Sequence, residues 1–336
     1  MRKQKVFIVG SSYGLLLALL AFPISHDDIF IFNGNVISKR ISDELGKDHA
    51  VYVRQSNSSR KGILGKIVNL LAEEKRYRKY IRSNISRNSD IIGHDHILAI
   101  AYPFWGKFST IIEDGYISYL GYEEILSLMK KKGTQYYRLL NFFYKLKTGN
   151  DYKLYGYDQS ITKVLLTDSS KDIPGLYGKL EFCSVEGLWK QFKPVKQKRL
   201  IEIFQAVKFR DEMNNYNSVN LLITQPLSED GLMTEKEKID LYSSVLIDKN
   251  IFFVIKPHPR EMTDYHNLFP SAFIIDNDIP LEIIALIAEN ISKVYTCFST
   301  AAKIFEKKAE INYISLLKYP KIIEKYNLYE IQDKVI

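Results

Sequence analysis

Short apolar runs alternate with amphipathic stretches along most of the chain, and this pattern predicts an α/β fold. The runs have the length of buried strands, whereas the amphipathic stretches repeat their apolar positions every three or four residues, as helices do. Strands that alternate with helices form a parallel, doubly wound sheet. The predicted strands are KVFIVG, DDIFIF, AVYVR, HILAIAY, STIIED and TKVLLTD in the first part of the chain, and NLLIT, FFVIK, AFIID, KVYTCF and NYISL in the second.

The helices lie between these strands, and a polar break divides the chain into two domains. Both helices that follow STIIED end at a glycine, which is typical of a helix C-cap. The segment DEMNNYNS is polar and rich in turn-forming residues, so we predict domains at 1–210 and 211–336. The predicted helices are LLLALLAF, residues 64–83, YEEILSLMKKKG, TQYYRLLNFFYKLKTG, a helix near 197–209, EKEKIDLYSSVLI, LEIIALIAE, AAKIFEKKA and a last helix after NYISL.

The N-terminus, MRKQKVFIVGSSYGLLLALLAF, has the basic start and the apolar run of a signal peptide. Residues 10–14 interrupt that run with glycine and serine, and no pair of small residues typical of a cleavage site follows Phe22. We therefore interpret the segment as a first strand, a turn and a helix. No run reaches the roughly 20 apolar residues that a membrane-spanning helix needs.

The composition indicates a globular protein and favours an anionic partner. Apolar residues make up 46% of the chain and charged residues 26%, which excludes a disordered chain. The net charge of +8 favours a nucleotide, an acidic glycan or an anionic membrane face as partner. Cys183 and Cys297 are far apart in apolar surroundings, so we expect no disulfide framework and a reducing cytoplasm.

Polar residues follow four strands of the second domain, where an open α/β sheet binds its ligands. His258 lies between two prolines, so its backbone is stiff; it is either a turn histidine or a positioned general acid. Ser299 and Thr300 precede a helix, where they either cap it or hold a phosphate. The residues after the four strands are Gln225 with Glu229-Asp230-Gly231, Lys256-Pro257-His258-Pro259, Asp276 to Glu282, and Ser299-Thr300.

The Asp276-Asn277-Asp278 stretch has the D-x-D form with which metal-dependent glycosyltransferases hold Mn²⁺. Asp and Asn are also common in turns for conformational reasons, so we interpret this stretch as a turn and predict no metal site. Glu282 follows in the first turn of the next helix, where a carboxylate suits the helix dipole and could reach a ribose diol.

The ordered set E-D-G, K-P-H-P and S-T-A-A resembles the motifs of the bacterial sialyltransferases of glycosyltransferase family 52, most strongly over 219–305. The resemblance implies a GT-B fold, in which two Rossmann-like doubly wound domains face each other across a cleft. It also implies an inverting, metal-independent transfer of sialic acid from CMP-sialic acid, without a cofactor. The acceptor would be a terminal galactose of a capsule or lipooligosaccharide glycan, with an α-2,3 linkage.

By this resemblance His258 is the general acid at the departing CMP phosphate. Ser299 and Thr300 would hold that phosphate and Glu282 the ribose hydroxyls, while the nucleotide would lie beside Lys256, Pro259 and Gln225. The general base would be a carboxylate of a Glu-Asp-Gly turn, and the chain has two such turns. We favour Asp230, which lies shortly before the H-P motif on the same sheet edge, and keep Asp114 as the alternative.

Two other functional classes stay open. One is a GT-B enzyme that uses another nucleotide sugar, including an epimerase, and the other is a non-catalytic nucleotide-binding protein of capsule assembly. The basic and aromatic stretch 75–82 is either a solvated helix face or a contact with an anionic inner membrane leaflet. No recognition module supports nucleic acid as a partner. We expect a cytoplasmic enzyme at the membrane face and, from the resemblance, a homodimer.

Overall fold

The computed structural model describes residues 2–34, 37–54, 63–132, 134–246 and 251–332. They form two compact units, Met1–Ile203 and Phe204–Ile336. Each unit is built on a parallel sheet with helices between its strands, as the alternating sequence pattern predicts.

Among the described residues, the sheet of the first unit has the order β3-β2-β1-β4-β5-β6-β7, and all neighbouring strands are parallel. The chain first builds outward from β1 to β3 and then returns to place β4 on the other side of β1. The switch point of this sheet therefore lies between β1 and β4. The strands are β1 (Lys5–Val9), β2 (Ile29–Asn33), β3 (Ala50–Arg54), β4 (Asp90–Gly93), β5 (Phe108–Ile112), β6 (Lys163–Leu166) and β7 (Leu180–Phe182).

The helices of the first unit begin with a strongly apolar one, α1, whose N-cap Ser11 accepts a hydrogen bond from the Gly14 amide. The N-terminal apolar run thus forms a buried strand and a buried helix, as we interpreted it. The helices are α1 (Ser12–Ala21), α2 (Lys39–Leu45), α3 (Ile63–Asn84), α4 (Leu98–Ala101), α5 (Tyr122–Lys132), α6 (Thr134–Thr148), α7 (Val185–Lys190) and α8 (Pro194–Ile203).

The sheet of the second unit has the order β10-β9-β8-β11-β12 among the described residues, and its strands are also parallel. Its switch point lies between β8 and β11. The strands are β8 (Val219–Ile223), β9 (Phe252–Lys256), β10 (Phe273–Ile274), β11 (Ile291–Thr296) and β12 (Glu310–Tyr313). The helices are α9 (Val207–Met213), α10 (Glu235–Ser243), α11 (Tyr265–Leu268), α12 (Leu281–Ile287), α13 (Pro320–Tyr326) and α14 (Tyr329–Gln332).

Three predicted elements differ from the structure. HILAIAY is not a strand: β4 lies just before it, and HILAIAY contributes the short helix α4, which exposes Leu98 and buries Ile100. The helix predicted near 197–209 is two helices, because Gln205 adopts the left-handed conformation, with φ of 58°, between α8 and α9. The predicted helix AAKIFEKKA is a 3₁₀ helix over Thr300–Phe305.

Candidate active site

The ends of β8 and β11 are tied together at the switch point of the second sheet. The Gln225 side chain, just beyond β8, accepts a hydrogen bond from the Phe298 amide, just beyond β11, at 3.1 Å. The Gln225 amide in turn donates to the hydroxyl of the buried Tyr242 at 2.8 Å. Gln225 therefore fixes the edge on which a ligand would lie, whereas its own contact with a nucleotide stays a prediction.

His258 follows β9 on the same edge and is held by three hydrogen bonds. Its amide donates to the Glu261 carboxylate at 2.7 Å and to the Thr224 hydroxyl at 3.3 Å. Its Nδ1 accepts from the Arg260 amide at 3.2 Å. A neutral imidazole that accepts at Nδ1 carries its proton on Nε2, so these contacts assign a ring with a donor at Nε2. Burial and the Arg260 charge lower the pKa of His258.

The loop that carries His258 rests on the buried side chain of Glu261. This carboxylate accepts hydrogen bonds from Tyr265 at 2.7 Å and from the Thr224 hydroxyl, besides the His258 amide. Burial raises the pKa of Glu261. His258 and Pro259 are thus the solvent-facing part of a loop that a buried carboxylate anchors, whereas Lys256 and Pro257 are buried.

A fully buried lysine of α10, Lys238, lies beneath this loop. Its ammonium pairs with Glu229 at 2.9 Å, Glu235 at 3.1 Å and Glu261 at 3.6 Å. Glu229 also accepts from the Met262 amide at 2.8 Å. The glutamate of the second Glu-Asp-Gly turn is therefore structural, since it joins the loop to α10.

Asp230, beside it, forms a two-point ion pair with Arg260, with N–O distances of 2.6 and 3.0 Å. The Arg260 hydrogen bonds hold the pKa of this carboxyl below its usual range. The Asp230 side chain is 23% exposed, so it lies at the surface of the sheet edge. The charge of Asp230 also acts on His258, which lies in the same unit.

Lys256, the last residue of β9, is buried and closes the turn after β10. Its ammonium donates to the carbonyls of Asp276 at 3.2 Å and Asn277 at 3.1 Å. Burial lowers the pKa of Lys256 to about 8. Within the described residues, no group of three His, Cys, Asp or Glu side chains is arranged to hold a metal ion. Metal independence stays a prediction, as does a nucleotide contact of Lys256.

The remaining predicted nucleotide contacts lie at or near the same edge. Ser299 occupies the N-cap of the 3₁₀ helix without a side-chain cap hydrogen bond, while its amide donates to the Thr296 hydroxyl at 3.2 Å. Thr300 and Pro259 are exposed, and Glu282 is half-buried in the first turn of α12. Their roles stay predictions.

In the first unit, Asp114 lies beyond β5, near the switch point of that sheet. Its carboxylate accepts a hydrogen bond from Ser11, beyond β1, at 2.8 Å and contacts the His96 Nε2, beyond β4, at 2.9 Å. Burial opposes its ionisation, but the His96 hydrogen bond and the neighbouring histidines outweigh burial and hold the pKa of Asp114 well below its usual range. The Asp114 side chain is 25% exposed.

Glu113, the neighbour of Asp114, is buried and, like the half-buried Glu229, is held by internal contacts. It accepts from the Thr167 amide and hydroxyl, both at 2.7 Å, and from Tyr119 at 2.6 Å. Each Glu-Asp-Gly turn thus ties its glutamate to neighbouring elements and leaves its aspartate partly exposed at the sheet edge. The closing glycines, Gly115 and Gly231, have φ of 70° and 67°, which L side chains rarely adopt.

Two buried titratable groups support the Asp114 region. His94 accepts from the Gly10 amide at 3.0 Å, and burial lowers its pKa to about 4. Burial raises the pKa of Asp95 to about 6; its Oδ1 accepts from the Tyr155 amide at 3.0 Å. Among the described residues, neither Asp95 Oδ2 nor His96 Nδ1 has a hydrogen-bond partner. The His96 ring stacks on Tyr155 at 4.4 Å.

The family model of glycosyltransferase family 52 matches residues 33–321. The chain belongs to glycosyltransferase family 52. The membership that the E-D-G, K-P-H-P and S-T-A-A motifs predict is therefore confirmed. A relative in sequence is an uncharacterized protein of Haemophilus influenzae, 33% identical over 175 residues, which are 51% of this chain and 56% of that protein. The chain thus matches little more than half the length of this relative.

Solved structures show that this family 52 chain has the GT-B fold. An α/β-galactoside α-2,3-sialyltransferase of Photobacterium phosphoreum aligns with a TM-score of 0.57 at 12% identity, over 99% of this chain and 98% of that one. The GT-B domain of a Photobacterium damselae sialyltransferase aligns with a TM-score of 0.52 at 11% identity, over 92% of this chain and 90% of that one. UDP-GlcNAc 2-epimerase of Neisseria meningitidis aligns with a TM-score of 0.51 at 12% identity, over 99% of this chain and 95% of that one.

Sequence reasoning missed the residues that hold the candidate groups. Arg260 and Glu261 directly follow the H-P motif, so their place in the chain was a usable signal. No sequence signal indicated the role of Lys238, because a lysine in an amphipathic helix is expected to be exposed. Ser11 and His96 follow strands and could have been found by the rule that selected His258, once β4 is placed correctly.

Proposed function

We propose that this family 52 protein is an inverting sialyltransferase that moves sialic acid from CMP-sialic acid to a terminal galactose of a capsule or lipooligosaccharide glycan, with an α-2,3 linkage. The observation that carries the proposal is the fixed imidazole of His258, with its Nε2 donor, beside the switch point of the second sheet. Family membership and the shared fold with a bacterial α-2,3-sialyltransferase support it.

In this reaction the bond between the anomeric carbon and the phosphate oxygen breaks while the acceptor oxygen attacks from the opposite face. The departing phosphate gains negative charge, which raises the proton affinity of a nearby imidazole. In its imidazolium form His258 gives its Nε2 proton to that phosphate oxygen, and as the neutral ring it donates a hydrogen bond from Nε2 to the same oxygen. The hydroxyls of Ser299 and Thr300 stabilise the same charge. Lys256 keeps the turn at Asp276 closed beside them.

The acceptor hydroxyl loses its proton to a carboxylate. We propose Asp230, because it lies in the same unit as His258 and its charge acts on that ring. The Arg260 ion pair fixes the orientation of the Asp230 carboxylate. Asp114 is the alternative, since His96 and Ser11 orient it equally well in the first unit.

The decisive experiment measures CMP release from CMP-sialic acid with a galactose-terminated acceptor in EDTA. We expect turnover by the parent and a loss of about 10² to 10⁴ in kcat for His258→Ala and for one of Asp230→Asn and Asp114→Asn. His266→Ala, an exposed histidine of α11, is the matched control and should keep parental activity. Absence of acceptor-dependent release by the folded parent over a broad acceptor panel would reject the proposal.

The GT-B fold is shared with UDP-GlcNAc 2-epimerase, so the fold alone does not select the donor. A thermal-shift comparison of CMP and UDP makes the choice, because a ligand at a hundredfold excess over Kd stabilises its protein by about 2.7 kcal/mol. A shift with UDP and none with CMP would favour a UDP-sugar enzyme. A shift with CMP but no turnover would favour a nucleotide-binding assembly protein.

A further inference from the structure

Among its described side chains, helix α6 presents one buried apolar face and one exposed apolar face. Leu140 and Tyr144 are buried, and they account for the packing of α6 in the first unit. On another face Phe142 is 61%, Phe143 39% and Leu146 73% exposed. Their spacing along the helix, i, i+1 and i+4, places them side by side in one patch. Large apolar side chains grouped in this way mark an interaction surface.

Cations border this patch. Arg138 and Lys145 are exposed, and their helical positions place them along one side of Phe142. The neighbouring helix α5 also exposes Lys130 and Lys131, and the Lys130 ammonium lies over the Tyr137 ring of α6, outside the patch. The partner of Lys145 is Asp151 at 3.5 Å, an exposed pair that contributes little and leaves the region cationic.

We propose that this α6 face, formed by Phe142, Phe143 and Leu146 with Arg138 and Lys145, docks on an anionic phospholipid surface. Helices that lie in a membrane interface combine Phe and Leu on one side with Lys and Arg beside them. The apolar rings would enter the boundary between head groups and acyl chains, while the cations contact lipid phosphates. The mode is surface attachment: among the described residues, no helix has the length and apolarity to cross a bilayer.

Charge favours lipid over a second copy of the chain on this face. A twofold interface places each patch against its own copy, so the same cations would meet across it. An anionic bilayer removes that repulsion and adds attraction to the chain, whose net charge is +8.

The basic stretch 75–82, the other membrane candidate in the sequence, lacks an apolar patch of this kind. Arg76 pairs with Glu73 at 2.6 Å and Arg78 with Glu74 at 2.6 Å. Tyr77 is fully buried and Tyr80 half-buried, so the aromatic rings of this stretch point toward the core. Its exposed side is a solvated, partly ion-paired helix face.

The test uses the full chain and tryptophan fluorescence. The two tryptophans, Trp105 and Trp189, are both buried, so a new indole at the surface reports on its own surroundings. Phe142→Trp is compared with Val195→Trp, an even more exposed apolar position in α8. Vesicles contain phosphatidylcholine alone or with phosphatidylglycerol, and brominated acyl chains quench an indole that reaches them.

We expect quenching of Phe142→Trp in the phosphatidylglycerol vesicles and none of Val195→Trp. The triple variant Phe142→Gln/Phe143→Gln/Leu146→Gln should bind the anionic vesicles at least tenfold more weakly, with an unchanged circular dichroism spectrum. Equal quenching at both positions, or binding that ignores phosphatidylglycerol and the triple variant, would overturn the proposal. So would a lipid-free dimer that the triple variant dissociates, because a second copy would then cover the patch. None of these readouts depends on catalytic activity.

Discussion

Asp230 and Asp114 are held by groups that differ in charge. Arg260 pairs with Asp230 through two hydrogen bonds and is always cationic, whereas Asp114 is held by His96 and the neutral hydroxyl of Ser11. Removal of one holding group therefore changes the basicity of only one of the two carboxylates. The choice of general base becomes a question that a pH profile can answer.

Arg260→Gln removes the cation that lowers the pKa values of Asp230 and His258. Both pKa values should rise, so if Asp230 is the base, both the acidic and the basic limb of the kcat/KM profile move to higher pH. The backbone amide at position 260 keeps its bond to the imidazole in this variant, because the main chain supplies that donor. Arg210→Gln, which removes an exposed pair with Asp211, is the control.

His96→Phe is the complementary variant, since it keeps a ring to stack on Tyr155 but loses the hydrogen bond to Asp114. We expect the pKa of Asp114 to rise, because His96 lowers it. If Asp230 is the base, the acidic limb of the kcat/KM profile stays in place. A limb that moves with His96→Phe and not with Arg260→Gln would assign the base to Asp114.

The buried carboxyl of Asp95 leads to a prediction about how the free energy of unfolding depends on pH. Its carboxyl has a pKa of about 6 in the fold, so the folded state binds more protons than the unfolded chain between roughly pH 4 and pH 6. Stability therefore falls as the pH rises through that window, by about 3 kcal/mol for this group. Asp95→Asn, which keeps the acceptor for the Tyr155 amide, should stabilise the first unit by roughly 2–3 kcal/mol at pH 7.

The measurement is urea unfolding of the parent and of Asp95→Asn at pH 7 and at pH 4. The gain should nearly vanish at pH 4, where the parental carboxyl is protonated as well. Asp151→Asn, at an exposed position, should be neutral at both pH values. A gain of equal size at pH 4 and pH 7 would mean that ionisation is not its source.

At the scale of elements, the loop after β9 that carries His258 depends on helix α10. Lys238 joins Glu229 and Glu261, and these carboxylates hold the amides of Met262 and His258. The loop geometry thus depends on a lysine side chain that is fully buried. Removing one member of a buried charge network costs more than the network itself contributes, because its partners stay charged.

Lys238→Met should lower the free energy of unfolding by about 3–5 kcal/mol, since it leaves buried carboxylates without their cation. Urea denaturation measures the loss, and Lys236→Met, an exposed lysine of the same helix, should change little. Adding Glu229→Gln to Lys238→Met should restore part of the stability. If the double variant is less stable than Lys238→Met, charge balance is not the function of this lysine.

The sequence predicts elements well where apolar runs are long and clearly bounded. NLLIT and FFVIK form β8 and β9, and their common edge brings Gln225 and His258 to one side of the sheet. The prediction of a strand at HILAIAY was wrong because the strand of this region, β4, has only four residues and ends at Gly93, just before HILAIAY. A Cβ at Gly93 would lie 2.0 Å from the Ile8 carbonyl oxygen, so β1 and β4 approach closely there, which a local pattern does not reveal.

Several hydrogen bonds and ion pairs of the candidate site could not be predicted from the sequence, because they join distant parts of the chain. The bond between Gln225 and the Phe298 amide and the pairing of Lys238 with Glu261 arise only when strands and helices assemble. The pattern located the residues at the strand ends. It did not reveal that Lys256 closes a turn or that Asp230 is paired with Arg260.

For the whole molecule, the two units should respond differently to the nucleotide. We expect CMP to slow hydrogen exchange in the second unit at the amides of His258, Glu261 and Ser299. At a tenfold excess over Kd the slowing is roughly tenfold for amides that exchange by an opening that abolishes binding. Mass spectrometry of peptides over 251–262 and 291–305 measures it, with UDP as the comparison. Protection confined to peptides around Asp114 would contradict the assignment of the nucleotide to the second unit.

The exposed face of α6 has a kinetic consequence for a glycan acceptor that is anchored in a bilayer. Enzyme and acceptor would then diffuse in the same plane, and encounters would depend on the number of acceptors per area of membrane. Adding acceptor-free anionic vesicles would slow the reaction by surface dilution, although the bulk acceptor concentration stays constant. A short, water-soluble acceptor would escape that dilution. The ratio of the rates with the anchored and the soluble acceptor would therefore measure how much the membrane speeds the encounter between enzyme and acceptor.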